Sequence, residues 1–204
     1  MIFLTGPHGA GKTRSSAFLS KHNFSLIDLG PIIREMHQKE APDISFKDWV
    51  IRGESTHGVD FTNQLLAEEV NRRIVELYAL ENPPQDILVA GSRSVRGLKY
   101  LQNSIIIPNH FGHRIVYIDA PFDLLWARYN AREGKSLTEE EFEVILMKDR
   151  DMGIYGLREV ADTYILNDGE ESRFDTTLDN LFFNELGYQR FENGVDNGIL
   201  PQVK

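Results

Sequence analysis

An α/β fold, a three-layer sandwich with a parallel sheet between helices on both faces, is predicted by three observations. Short apolar runs recur along the chain and helical patterns separate them. The runs are continuous rather than alternating, which suits parallel strands buried on both sides. Each run ends at or within two residues of a glycine or a carboxylate, where an α/β sheet gathers its ligands at the carboxyl ends of the strands. A length of 204 residues fits one such domain with modest insertions.

The first strand is Ile2-Phe3-Leu4, and the loop after it, Gly6-Pro7-His8-Gly9-Ala10-Gly11-Lys12-Thr13, fits the phosphate-loop pattern G-x-x-x-x-G-K-S/T. Glycines there let successive N–H groups turn inward around a phosphate, and the following helix adds its positive N-terminal end. Lys12 reaches the β- and γ-phosphates in such a loop, and the Thr13 hydroxyl ligates Mg²⁺. The expected ATP contacts are therefore Gly6, His8, Gly9, Ala10, Gly11, Lys12, Thr13 and Arg14. Ala17, Phe18 and Leu19 supply the apolar face of the helix.

Residues 24–28 read as the second strand, ending at Asp28. A helix begins near Pro31 and carries Ile32, Ile33, Arg34 and Met36. Regularity fades around Gly53 and Gly58, then Phe61, Leu65, Leu66, Val70, Ile74 and Leu77 trace a long amphipathic helix that Asn82-Pro83-Pro84 stops. Residues 87–90 form the third strand, running into Gly91, and 114–119 the fourth, ending at Ala120-Pro121. A helix over 124–132, an acidic helix including 139–143, and a last strand over 163–166 before Asn167-Asp168-Gly169 complete the alternation. From Asn184 on, the tail with Gly187, Gly194, Gly198 and Pro201 has no clear period.

Composition mainly excludes. A net charge of −9 argues against a broad nucleic-acid surface, which needs clustered Lys and Arg. The absence of cysteine removes disulfides, thiolate metal sites and a thiol nucleophile. Neither a secretion signal nor a membrane-spanning run is visible, so a soluble cytoplasmic protein is expected. The six histidines show no metal-ligand spacing: His8 lies in the loop as a modulator, while His22, His37, His57, His110 and His113 are scattered.

With the loop on the first strand, the order of elements resembles the nucleoside and nucleotide kinase branch of the P-loop NTPases, including adenylate kinases and dephospho-CoA kinases. The likeness spans about residues 1 to 182. Leu29-Gly30-Pro31-Ile32-Ile33-Arg34-Glu35 looks like the G-D-x-L/I-R segment of nucleoside monophosphate kinases, in which the arginine, here Arg34, holds the acceptor's phosphate. Residues 89–94 are similar to the D-G-x-R-S stretch of dephospho-CoA-kinase-related proteins, which places Arg93 beside the same group. Residues 161–169 look like A-D-x-x-I-x-N-D-G, which places Asn167 near the adenine. The carboxylate that often precedes the glycine of D-G-x-R is Ala90 in this chain.

The resemblance implies a kinase domain over 1–183, with an acceptor-binding insertion at about 31–80, a lid at about 126–158, and a C-terminal extension at 184–204. Its cofactors are ATP and Mg²⁺. Asp28, in the position of an acidic residue of dephospho-CoA kinases, is the first candidate for Mg²⁺ partner or base in place of the missing carboxylate. Asp119, or a turn cap at that position, is the second. Arg128 and Arg132, four apart on one helix face, are expected to point at the transferring phosphates, with Arg150 a further candidate. Glu139, Glu140, Glu141 and Glu143 read as a solvated face. Trp49 and Phe46 fall where nucleotide kinases put the acceptor arm and could stack on a base, or belong to the core.

The implied activity is transfer of the γ-phosphoryl group of ATP to a small acceptor, foremost a nucleoside or deoxynucleoside monophosphate. Dephospho-CoA, a nucleoside and a modified-base hydroxyl remain alternatives, as do a regulatory NTPase switch and a purely binding member suggested by Ala90.

Overall fold

Among the residues that the computed structural model describes, 1–106 and 112–191, five strands form one parallel sheet. They are β1 (Ile2–Thr5), β2 (Phe24–Asp28), β3 (Asp86–Ala90), β4 (Arg114–Asp119) and β5 (Thr163–Leu166), arranged in space as β2-β3-β1-β4-β5. His110 and the tail beyond Phe191, including Gly194, Gly198 and Pro201, lie outside the described residues. The helices are α1 (Lys12–Ser20), α2 (Leu29–Glu40), α3 (Phe46–His57), α4 (Phe61–Tyr78), α5 (Val95–Ser104), α6 (Phe122–Glu133), α7 (Glu139–Met152) and α8 (Glu171–Asp179). A 3₁₀ segment (Ile154–Val160) and a π-helical turn (Asn180–Glu185) complete them. No helix among the described residues is long and apolar enough to cross a membrane.

The pleat divides each apolar run between two cores. Ile2, Leu4, Leu88, Val116 and Ile118 face Phe142, Phe174 and Phe182 on one side. Phe3, Ile87, Val89, Ile115 and Tyr117 face Val70, Ile74, Leu98 and Leu157 on the other. Both faces of β1, β3 and β4 are covered, so these strands carry no polar alternation, while the edge strands β2 and β5 leave Leu26, Tyr164 and Leu166 exposed.

The chain departs from the sequence reading in four places. Asp28 caps α2, accepting the Gly30 N–H at 3.0 Å, so this helix starts at Leu29 rather than near Pro31. Helix α3 runs through Gly53 without a break. A Cβ at that position would stand 2.1 Å from the Phe61 ring, so the glycine lets α3 and α4 approach each other rather than ending a helix. Ala17 is exposed on α1, leaving Leu19 as its buried apolar residue. Helices α5 and α8 went unread because each buries only two apolar side chains, too few to set a period.

Candidate active site

The carboxyl ends of β1, β2 and β3 open on one cleft, and the phosphate loop forms its floor. Gly6 has φ 135°, and a Cβ on it would lie 1.9 Å from the Ile118 carbonyl oxygen, so only glycine lets the loop leave β1 there. Gly11 has φ 114° and meets the Asn167 amide in the same way. The Lys12 ammonium donates to the carbonyls of Gly6 (2.7 Å) and Pro7 (2.8 Å). Burial pulls its pKa down to about 8, against the opposing charge of Asp149.

Three cavities adjoin one another here, two of them against the loop. The central cleft, about 450 Å³, is lined by Lys12, Thr13, Asp28, Arg34, Arg93 and Arg132. A second cavity of about 730 Å³ shares Arg34, Arg93, Gly91 and Ser92 with it and is walled mainly by Ile33, Phe46, Val50, Leu66 and Leu101. The third, about 400 Å³, shares Lys12, Thr13 and Arg132 with the cleft and adds Arg14, Arg128, Asn167 and Phe174. Ala90 lines the central cleft, and the Ser92 hydroxyl beside it is buried with no hydrogen-bond partner.

The expected site residues divide. Lys12, Thr13, Asp28, Arg34, Arg93, Arg132, Gly6 and His8 come together in the central cleft, while Arg14, Gly9 and Asn167 line the third cavity. Asn167 donates to the Ala10 carbonyl at 2.9 Å, which pins the loop to the end of β5. Arg14 is held by Asp175 and Glu171.

Arg128 is a correction. Although it shares a helix face with Arg132, its guanidinium donates to the Asn167 carbonyl (3.0 Å), the Asn167 side chain (3.1 Å) and the Gly169 carbonyl (3.1 Å), and it lines only the third cavity. Those acceptors hold it on the β5–α8 loop, away from the central cleft. Arg132 does reach that cleft, pairing with Glu133 at 2.8 Å and lying 5.4 Å over the Tyr129 ring.

Trp49 is a second correction. It is 3% exposed and packs among His37, Phe46 and Phe61, and it lines neither the cleft nor the second cavity. Its neighbours Phe46 and Val50 do line the latter. Asp119 spends its carboxylate on the Ala120 N–H at 2.9 Å and on the Tyr164 hydroxyl, in a separate depression with Arg150 and Tyr155. Helix α6 starts after Pro121 with no side-chain cap from Asp119, and Arg150 lies over Tyr155 rather than at the cleft.

One residue in contact with the site has no counterpart among the sequence candidates. Asp149, on α7 and fully buried, accepts the His8 backbone N–H at 3.0 Å, the His8 ring Nδ1 at 2.8 Å and Arg93 at 3.4 Å. Burial pushes its carboxyl up, but the hydrogen bonds from His8 and the charge of Arg93 hold it below the usual carboxylate range. A sequence signal existed: Asp149 falls seven residues after buried Phe142, hence on the inner face of the helix. The other described histidines pack as structure, His37 sharing a hydrogen bond with the Ile44 carbonyl and His57 stacking on Phe61. Among the described residues no group of three His, Asp or Glu side chains could hold a metal by itself.

No protein-family model matches the chain. Adenylate kinase 1 of Nostoc sp. is 30% identical over 142 residues, which cover 69% of this chain and 72% of that kinase. The chain belongs to the adenylate-kinase-like P-loop kinases. It is an ATP-dependent kinase. A UPF0200 protein of Thermococcus kodakarensis is 26% identical over 190 residues, 89% of this kinase and 95% of that protein. Shikimate kinase of Bacteroides thetaiotaomicron shares the fold, with a TM-score of 0.52, 20% identity, and coverage of 91% of this chain and 97% of that one.

Proposed function

We propose that this kinase transfers the γ-phosphoryl group of ATP to the phosphate of a nucleoside or deoxynucleoside monophosphate. One observation carries the reading: Arg34 and Arg93 line the boundary between the charged central cleft and the large, mainly apolar second cavity. Two guanidiniums at the mouth suit a phosphate, and the apolar space behind them suits a sugar and base. In this reading residues 31–80 form the acceptor arm, with Phe46 rather than Trp49 available to a base. Residues 126–158 form the lid. The third cavity, with Asn167 and Arg14, takes the adenosine of ATP, and Arg128 fixes its wall.

Lys12 and Arg132 border both the central and the third cavity, where a triphosphate would bridge them, and they neutralise charge that spreads over the transferred group. The donor set fits Mg²⁺: the Thr13 hydroxyl and Asp28 carboxylate are hard oxygens lining the same cleft, and the unpartnered Ser92 hydroxyl beside Ala90 is a further oxygen there. When bound, the ion neutralises phosphate charge. Asp28 keeps one oxygen on the Gly30 N–H, which fixes the carboxylate at the end of β2.

The test is an acceptor screen that follows ADP release, with nucleoside monophosphates set against hydroxyl acceptors such as nucleosides and dephospho-CoA. Transfer to monophosphates supports the reading. Transfer only to hydroxyls, with Asp28→Asn costing on the order of a hundredfold or more in rate, would install a base-assisted hydroxyl kinase instead. Slow acceptor-independent hydrolysis with nucleotide-dependent partner binding would mark a switch.

A further inference from the structure

We propose that Asp149 is a positioning residue that ties helix α7 to both substrates at once. Its Oδ2 accepts the backbone N–H and the ring Nδ1 of His8 in the phosphate loop, and its Oδ1 takes Arg93 at the acceptor cavity. Each oxygen serves one half of the reaction. The inference rests on the phosphate-acceptor reading above.

A fully buried carboxylate is costly, and a well-packed apolar residue is often no worse for stability, so stability alone does not account for Asp149. Everything it holds lines the central cleft. Because an ionised carboxylate only accepts, His8 carries its proton on Nδ1, and Nε2 is left facing Arg93 Nη2 at 3.5 Å. Tyr129 packs edge-on against the same imidazole at 5.9 Å, and the Lys12 charge senses both Asp149 and Arg93. Asp149, His8, Arg93 and Tyr129 form one connected unit drawn from α7, the phosphate loop, the β3–α5 turn and α6. A shift of α7 moves the loop at His8 and the guanidinium of Arg93 together. Filling one site therefore favours the arrangement that the other needs, and the coupling has to be reciprocal.

The experiment compares wild type with Asp149→Asn in the full chain. The affinity of the non-hydrolysable ATP analogue AMPPNP is measured with and without a monophosphate that the wild type phosphorylates, and kcat and both KM values are taken. The His8 ring tautomer is read by ¹⁵N NMR. In the wild type each ligand should tighten the other and the Nδ1–H tautomer should dominate. In Asp149→Asn the coupling ratio should fall toward one, the tautomer signature should be lost, and acceptor KM should rise by on the order of tenfold.

A variant with unchanged coupling, KM and tautomer but a lower melting temperature would make Asp149 purely structural and overturn the proposal. Should Asp149→Asn not fold, His8→Gln, at a partly exposed position, removes the same ring contact and must lower the same ratio; an unchanged ratio overturns the proposal equally. Failure of the monophosphate reading shows in the wild type alone, as no transfer to any monophosphate. The ratio is then measured with the hydroxyl compound that the wild type does phosphorylate, and it decides in the same way.

Discussion

The phosphate loop and the second cavity flank the same central cleft, yet they are built differently. On the loop side the polar groups are anchored within the protein: Lys12 on two carbonyls, Asn167 on Ala10, Arg128 on three oxygens, Arg14 on two carboxylates. On the other side the walls are aliphatic and aromatic, from Ile33, Phe46, Val50, Leu66 and Leu101, with Arg34 and Arg93 at the mouth. A preorganised polar frame recognises a triphosphate by its charge, whatever else varies. An apolar cavity recognises its occupant by shape and area, with a few polar groups to orient it. In the proposed assignment, the donor half is general to P-loop chemistry and the acceptor half is where this kinase becomes particular.

Removing the charge at the centre of the frame should have the largest effect. Lys12→Ala should leave the sheet folded, since the side chain satisfies only loop carbonyls, and should lower phosphoryl transfer by on the order of a thousandfold. Circular dichroism and steady-state kinetics check it together. Near-normal turnover would dissolve the contrast, because the loop would no longer be the donor site.

Arg34→Ala probes the other side. Loss of a charge-assisted contact of about 1.5 to 3 kcal/mol should raise acceptor KM about 10- to 150-fold while ATP affinity stays within a few-fold of wild type. If ATP affinity fell and acceptor KM held, the two halves would be assigned the wrong way round.

How far the sequence anticipated this contrast depends on distance along the chain. The loop was legible because its geometry is local: eight consecutive residues, with glycines at Gly6, Gly9 and Gly11 that adopt positive φ. The central strands β1, β3 and β4 were legible because burial on both faces removes polar alternation. The partner of His8, by contrast, is 141 residues away, and only the packing of α7 brings Asp149 to it. Arg128 and Arg132 show the same limit. Helical spacing placed them on one face, and the β5–α8 loop, 39 residues on, captured one and not the other. Trp49 and Phe46 were both aromatic candidates, and the approach of α3 to α4 at Gly53 decided which was buried.

The smallest expected effect separates the halves by pH. An unhindered lysine titrates at 10.5, whereas Lys12 is drawn down to about 8 by burial. Between those values the unfolded chain binds the more protons, so the penalty that Lys12 places on the fold is complete below about pH 8 and is relieved as pH rises toward 10.5. Stability from this group therefore increases over the range in which its charge, and with it phosphate binding, is lost. The kcat/KM for ATP should fall by about tenfold per pH unit above roughly pH 8, while the melting temperature shows no matching fall from this source. The acceptor half should not follow, since arginine side chains in general stay protonated over this range. Lys12→Arg should lower the rate but flatten the alkaline limb, because a guanidinium does not deprotonate in this range. A wild-type profile that stays level to pH 9.5, or an acceptor KM that rises in step with the loss of ATP affinity, would show that the two sides share one titrating frame rather than two.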